Sequence, residues 1–262
     1  MPNLKSVGVL LREGTEHSAL AQVRPLFERA GITLHMLNDH LPQQPLDMVI
    51  AMGGDGTVLK ALDLMPGCPV LAINFGTVGF LTAGDRGEME GLVARLLKGD
   101  YLVSERLLLR CEHPGGTAHV VNEIVLRSSW RMINVDVDVN GARIRAIRGD
   151  GVIVGTPTGS TGYLLSTGAP IVMPDVQCFV LDGINEYNFT SRPVIVAPDS
   201  RIHLTLQALL PNQRTELFVD GNLAGELKSG ERITLERSSR RAQLIFFDQH
   251  YFFRNLSSRL GW

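Results

Sequence analysis

The chain reads as a parallel α/β domain followed by an all-β sandwich, and three observations carry that reading. As far as Gly99, short apolar runs alternate with amphipathic helical stretches, the pattern of a parallel sheet covered on both faces. From Tyr101 onward, short strand-like segments follow one another between turn residues, as in a sandwich. Within that second half Asn140-Gly141, set between Val135, Val137, Val139 and Ile144, is a strong two-residue hairpin signal.

The elements of the first half follow in order. Residues 6–11 form an apolar strand, a polar turn covers 13–15, and Leu20, Val23, Phe27 and Ala30 share one face of a helix that Gly31 ends. Residues 33–37 are a strand, Pro42 and Pro45 mark a loop, and 46–52 read as a short buried strand. A helix opens at 57–62 and stops at Pro66-Gly67; a strand over 70–73 then runs into a second glycine-bearing loop, 74–80. The helix over 88–98 turns Leu92, Leu96 and Leu97 inward. In the second half, strands are expected over 101–111, 117–127, 132–139, 142–148, 151–155, 179–181, 194–196, 201–206, 216–219, 232–236 and 243–247. The Gly-, Ser- and Thr-rich run 158–167 opens a short helix, and 251–262 form a final one. The domains are thus 1–100, 101–248, and a helical tail, 249–262, packing back on the first domain.

Composition excludes several function classes. With 25 basic against 27 acidic residues and no Lys/Arg run longer than a pair, nucleic acid is not an expected partner. Cys68, Cys111 and Cys178 lie far apart without CxxC spacing, and the seven histidines lack ligand pairing, so neither a disulfide framework nor a zinc site is signalled. The short run of apolar or small residues after Lys5 is too brief for a signal peptide, and no run nears the roughly 18 apolar residues of a membrane span. The expectation is a cytoplasmic protein with no membrane partner.

The chemistry centres on Gly53-Gly54-Asp55-Gly56-Thr57, three glycines and a carboxylate between a buried strand and a helix. Glycine amides at a helix N-terminus form an anion nest whose expected guest is phosphate. An aspartate there repels that guest unless it binds a metal or takes a proton from a nucleophile. A lone Asp-Gly pair is a common turn, but two further polar clusters follow: Asn122-Glu123 inside an apolar strand, and Gly149-Asp150-Gly151 beside Thr158-Gly159-Ser160-Thr161. Polar groups in a strand interior are costly unless paired, so Asn122 and Glu123 are either solvent-facing or ligands for a hydroxyl-rich substrate. A Walker loop is absent because all four lysines follow leucine; GxGxxG fails at Leu59, and Thr158 replaces the first glycine of GxSxG.

These motifs together resemble the NAD kinase family. The matching residues are the GGDGT loop, Ile73-Asn74-Phe75-Gly76 through Gly79-Phe80-Leu81-Thr82, Ser104-Glu105-Arg106, Asn122-Glu123, and Gly149-Asp150-Gly151 through Thr156-Pro157-Thr158-Gly159-Ser160-Thr161-Gly162-Tyr163. They span most of the chain. GGDGT alone is shared with diacylglycerol and sphingosine kinases, whereas the Asn-Glu pair with the TGST-Tyr segment is more specific.

The resemblance implies a Rossmann-like N-terminal α/β domain, a C-terminal β-sandwich domain, and phosphorylation of the adenosine 2′-hydroxyl of NAD, with ATP or polyphosphate as donor. It assigns Asp55 to activating that hydroxyl, and Gly53, Gly54, Gly56 and Thr57 to the phosphates. Asn122 and Glu123 match the pair that bonds the dinucleotide's hydroxyls; Thr161, Tyr163 and Ser166 match adenine-side contacts, and Phe80 an aromatic in the same pocket. Arg148 also falls in the NAD-binding set, and Asp150 matches a carboxylate reaching the nicotinamide end from a neighbouring subunit, which implies a homo-oligomer, dimer or tetramer. No residue is assigned to metal; a divalent ion, Mg²⁺, is expected on the donor phosphates. The roles agree with physical expectation, since a positioned carboxylate taking a hydroxyl proton is worth about 10² to 10⁴ in rate, and phosphoryl transfer otherwise needs alignment and charge neutralisation.

The chain departs from the family at Gly162, where alanine is usual. It departs again over 182–193, which keeps only Arg192-Pro193 of a stretch that more often carries cysteine, proline and histidine. Asp220-Gly221-Asn222 reads as a type I′ hairpin turn rather than a catalytic element. Two alternatives share the loop chemistry: a lipid kinase, and a non-catalytic NAD(P)-binding regulator.

Overall fold

Strands that are apolar along their whole length must be covered on both faces, and in the computed structural model they are. The structure describes residues 4–14, 18–38, 40–76, 79–188 and 190–262; Thr15, Thr77, Val78 and Phe189 lie outside the described residues. Two compact units form, Met1–Glu105 with Ala242–Trp262, and Arg106–Arg241. The sequence marks its divisions at 100 and 248, a few residues away from these.

In the first unit, strands β1 (Ser6–Leu11), β2 (Thr33–Met36), β3 (Met48–Met52) and β4 (Val70–Asn74) pair in parallel in the order β2-β1-β3-β4. Every residue of β3 and β4 is buried. The helix expected across 20–30 is two pieces, α1 (Ser18–Ala21) and α2 (Arg24–Arg29). Pro25 is the cause: it has no N–H for the Ala21 carbonyl four residues back, and its ring crowds that oxygen. Val23 and Phe27 stay fully buried, but Ala30 lies past the helix end and is exposed. Helix α3 (Asp55–Leu64) follows β3, and a two-residue strand β5 (Gly84–Asp85) leads through a capping box made by Asp85 and Glu88 into α4 (Met89–Lys98), closed by left-handed Gly99 at φ 77°. Leu92 and Leu96 point inward as expected; Leu97 is half-buried, and Val93 takes the fully buried place.

The second unit packs two sheets. One runs β13-β12-β11-β8-β15-β16, from β8 (Glu123–Ser128), β11 (Gly151–Gly155), β12 (Phe179–Ile184), β13 (Val194–Val196), β15 (Thr215–Val219) and β16 (Asn222–Leu227). The other contains β6 (Leu102–His113), β7 (Gly116–Val120), β9 (Ile133–Val139), β10 (Ala142–Gly149), β14 (Ile202–Leu206) and β17 (Arg232–Phe246). Leu126, Val152, Val154, Leu181 and Leu217 of the first sheet meet Val135, Val137, Leu204, Ile233 and Leu235 of the second in one dry core. Each such side chain contributes about 2 kcal/mol on leaving water.

Several strands differ from expectation. The strand expected over 117–127 is broken at Val121-Asn122, so Asn122 sits in the gap and Glu123 opens β8; the cause is given below. Residues 232–236 and 243–247 belong to one continuous strand, whose buried positions shift from Ile233 and Leu235 to Ser238, Ala242 and Leu244; the Ser238 hydroxyl is satisfied by His119 Nδ1 at 2.8 Å. Its last residues, Leu244 and Ile245, join β4 in the first unit. Asn140 and Gly141 turn with φ 53° and 83°, as a type I′ hairpin requires. A bulge between Arg143 and Arg145 leaves Ile144 facing out. The chain ends in α6 (Tyr251–Leu260), where Asn255 Nδ2 donates to the carbonyls of Phe80 (3.3 Å) and Thr82 (3.1 Å) and Tyr251 stacks on Phe246. Among the described residues no helix is long and apolar enough to cross a membrane.

Candidate active site

Each unit carries one of the predicted clusters. In the first, the chain leaves buried β3 at Met52 and enters α3 at Asp55, two residues earlier than Thr57, so Asp55, Gly56 and Thr57 form the first helical turn with Gly54 as its cap. The helix starts early because the Gly54 carbonyl accepts the N–H groups of Thr57 (2.9 Å) and Val58 (3.3 Å). The three glycines are not equivalent. A Cβ on Gly53 would stand 2.1 Å from Thr57 Oγ1, so close packing demands glycine there, whereas beside Gly54 and Gly56 the space is open.

The Asp55 carboxylate is held from outside its own loop. Oδ2 accepts the Phe80 N–H at 3.0 Å and Oδ1 the Leu81 N–H at 3.1 Å. Two consecutive amides at the end of the second glycine-bearing loop thus seat the carboxylate and leave each oxygen further acceptor capacity. Phe80, expected in a substrate pocket, is largely buried, with the Arg259 guanidinium 5.7 Å from its ring centre.

In the second unit, the break between β7 and β8 is made by Asp220. Its Oδ2 accepts the Val121 N–H (2.8 Å), and its Oδ1 those of Asn122 (2.7 Å) and Glu123 (3.2 Å). Backbone donors spent on a carboxylate are lost to a strand ladder, so pairing stops there. Asp220 and Gly221 have φ 46° and 82°, the expected type I′ turn, but the turn residue also organises the Asn-Glu pair, which sequence reasoning missed. Asn122 Oδ1 and Glu123 Oε2 are buried without a hydrogen-bond partner among the described residues. Orphaned acceptors of this kind call for a ligand donor. Burial pushes the Glu123 carboxyl up to about 7, with the Asp220 charge adding to the rise and the Tyr163 amide opposing it.

The Gly-Ser-Thr segment lies against this pair. Thr156 Oγ1 bonds the Val121 carbonyl at 2.5 Å, and a Cβ on Gly159 would stand 2.2 Å from the Asn122 carbonyl oxygen. A 3₁₀ turn (Thr158–Thr161) then leads into α5 (Tyr163–Ser166). Thr161 and Ser166 bond the carbonyls three residues back, at 3.2 and 2.7 Å, while the Tyr163 side chain is exposed. Ser160 is fully buried and bonded to the Pro157 carbonyl and the Val172 N–H, which suits a structural hydroxyl rather than a nucleophile.

A cavity of about 440 Å³ opens beside Tyr163 and Ser166. Gly183, Asn185, Glu186 and Asn188, from the segment that departs from the family, line it together with Asp182 and Ser191. Arg145 lies 3.8 Å from Asp182 and 3.5 Å from Glu186. Asp150 accepts from Asn185 Nδ2 at 2.8 Å, and exposed Arg148 stands 5.2 Å from the Tyr187 ring centre. Arg145, Asp182 and Glu186 carry no short motif that singles them out. No cluster of three or more His, Cys, Asp or Glu with metal-binding geometry occurs among the described residues.

Comparison with known proteins identifies the family of both units. The family model for the ATP-NAD kinase N-terminal domain matches residues 9–101, and that for the ATP-NAD kinase C-terminal domain matches 121–247. The NAD kinase of Geotalea daltonii is 36% identical over 233 residues, 86% of this chain and 81% of that protein. That of Geobacter metallireducens is 33% identical over 243 residues, 89% and 83% of the two lengths. An NAD kinase from Archaeoglobus fulgidus, solved in complex with ATP, superposes with a TM-score of 0.79 at 27% identity, covering 97% of this chain and 99% of that one. The yeast NADH kinase solved with NADH shares the fold, with a TM-score of 0.88 at 22% identity over 99% of this chain and 88% of that one. With both units matched and full-length relatives above 30% identity, the chain belongs to the NAD kinase family.

Proposed function

We propose that in this enzyme, an NAD kinase that makes NADP from NAD with ATP as donor, Asp55 takes the proton of the adenosine 2′-hydroxyl as its oxygen attacks the terminal phosphorus and ADP leaves. The observation that carries this role is the Asp55 carboxylate itself, fixed by the Phe80 and Leu81 amides yet only partly buried. Gly54 and Gly56, with open space beside them, give the donor phosphates room at the start of α3; Gly53 and Thr57 keep that turn compact. Asn122 and Glu123 take the dinucleotide's hydroxyls through their orphaned oxygens, with Thr161, Tyr163 and Ser166 on the adenine side. Mg²⁺ suits this chain as an ion held mainly by the donor phosphates, where it would neutralise developing charge.

Arg148 and Asp150 are exposed on the second unit, which supports their use at the nicotinamide end in a homo-oligomer, dimer or tetramer. Three free, buried cysteines suit a reducing cytoplasm. The test incubates purified protein with NAD, ATP and Mg²⁺ and reads the product with an NADP-specific dehydrogenase, with polyphosphate as a second donor. Asp55→Asn is expected to bind NAD within about threefold of wild type and to lose roughly 10² or more in turnover. Tenfold weaker binding with unchanged turnover sinks the assignment.

A further inference from the structure

We propose that Gly79 is a positioning residue for this reaction: its missing side chain is what allows the Asp55 carboxylate to sit on the Phe80 and Leu81 amides. The inference rests on the reading of Asp55 as the base and adds the device that aims it. A Cβ built on Gly79 falls 2.1 Å from Asp55 Oδ1, 2.7 Å from its Cγ and 3.1 Å from Oδ2. Those are distances at which one partner must move. Asp55 has little freedom to retreat, because α3 is anchored by fully buried Val58 and Ala61, and because turning the carboxylate away breaks both amide bonds at once. The loop is held from behind as well, since Asn255 Nδ2 bonds the Phe80 and Thr82 carbonyls.

Two consecutive N–H groups converging on one carboxylate, with no side chain on residue 79 to intrude, make a socket that fixes its plane and its distance from the helix. Proton transfer depends on placement to a fraction of an ångström. A methyl group at 79 therefore removes the alignment of the carboxylate while leaving the helix, the sheet and the second unit's Asn122 and Glu123 untouched. Gly76, in the same loop, makes the contrast: a Cβ there meets only Arg12 Nη1 at 3.5 Å, an ordinary contact.

The test is a double-mutant cycle with an exchange measurement beside it. Gly79→Ala is expected to lower kcat at least thirtyfold with the KM for NAD within threefold, and Gly76→Ala to stay within threefold of wild type in both. In the Asp55→Asn background, Gly79→Ala is expected to add less than threefold, because the group it misplaces is already gone; a role in folding alone multiplies instead. Gly79→Ala activity within threefold of wild type, or multiplicative losses, overturns the proposal. Amide hydrogen exchange covers the case in which Gly79→Ala does not fold: Phe80 and Leu81 are expected to exchange at least tenfold faster in Asp55→Ala than in wild type, and unchanged exchange overturns the socket. Wild-type turnover in Asp55→Asn overturns the catalytic reading beneath it and the proposal together, whereas unchanged exchange with a dead Asp55→Asn overturns the Gly79 proposal alone.

Discussion

Glu123→Gln tests the electrostatics of the second cluster on an absolute scale. Glu123 is buried beside the Asp220 carboxylate, and its pKa stands at about 7 instead of 4.5. A carboxyl whose folded pKa is raised stabilises the protein fully below the unfolded value and loses that contribution as pH rises through the folded one. The shift of about 2.5 units, at 1.36 kcal/mol per unit, corresponds to about 3 kcal/mol, most of it lost between pH 5 and pH 8. Glutamine has the same shape and does not titrate. Urea unfolding of both proteins at intervals from pH 5 to pH 8.5 is therefore expected to show the wild type losing about 3 kcal/mol relative to the variant, with the curve steepest between pH 5 and 7. A difference that stays flat with pH refutes the assignment. Function follows the same proton: ionised Glu123 only accepts hydrogen bonds, so the KM for NAD is expected to fall as pH rises through 7 in the wild type and to stay level in Glu123→Gln.

Two further substitutions test the scaffolding of that cluster. Asp220→Ala removes the acceptor for three backbone amides and is expected to cost about 3 kcal/mol in denaturant unfolding and to weaken NAD binding at least tenfold, while Asp220→Asn, which keeps one oxygen, falls between. Loss of stability without loss of NAD affinity, measured by calorimetry, breaks the link between Asp220 and the Asn-Glu pair. Arg145→Ala leaves Asp182 and Glu186 without their shared cation and is expected to cost about 3 to 5 kcal/mol. Replacing all three by neutral residues of similar volume is expected to recover most of that loss, and failure to recover it shows that packing dominates there.

What the sequence made legible was local. Alternating runs, Asn140-Gly141 and Gly99 act within a few residues of themselves, and the elements they mark stand close to where patterning places them; Pro25 acts as locally, but the apolar periodicity across 20–30 masked the break it makes. The break at Val121-Asn122 was invisible because its cause, Asp220, lies about a hundred residues away in the chain. The same distance hid the second role of a residue whose turn chemistry was plain. Strand β16 escaped because Asn222, Leu223 and Glu226 are exposed and Gly225 weakens any strand pattern. At the site, residue types pointed to chemistry, but the partners of Asp55 did not. Nothing near GGDGT announces that Phe80 and Leu81 will supply its donors.

The bonds from Asn255 to Phe80 and Thr82 bridge 175 and 173 residues. During synthesis the GGDGT loop leaves the ribosome early, yet the segment that steadies its socket comes after the whole of the second unit. The first unit is therefore built from two stretches of chain, Met1–Glu105 and Ala242–Trp262, and the loop that seats Asp55 depends on the second of them.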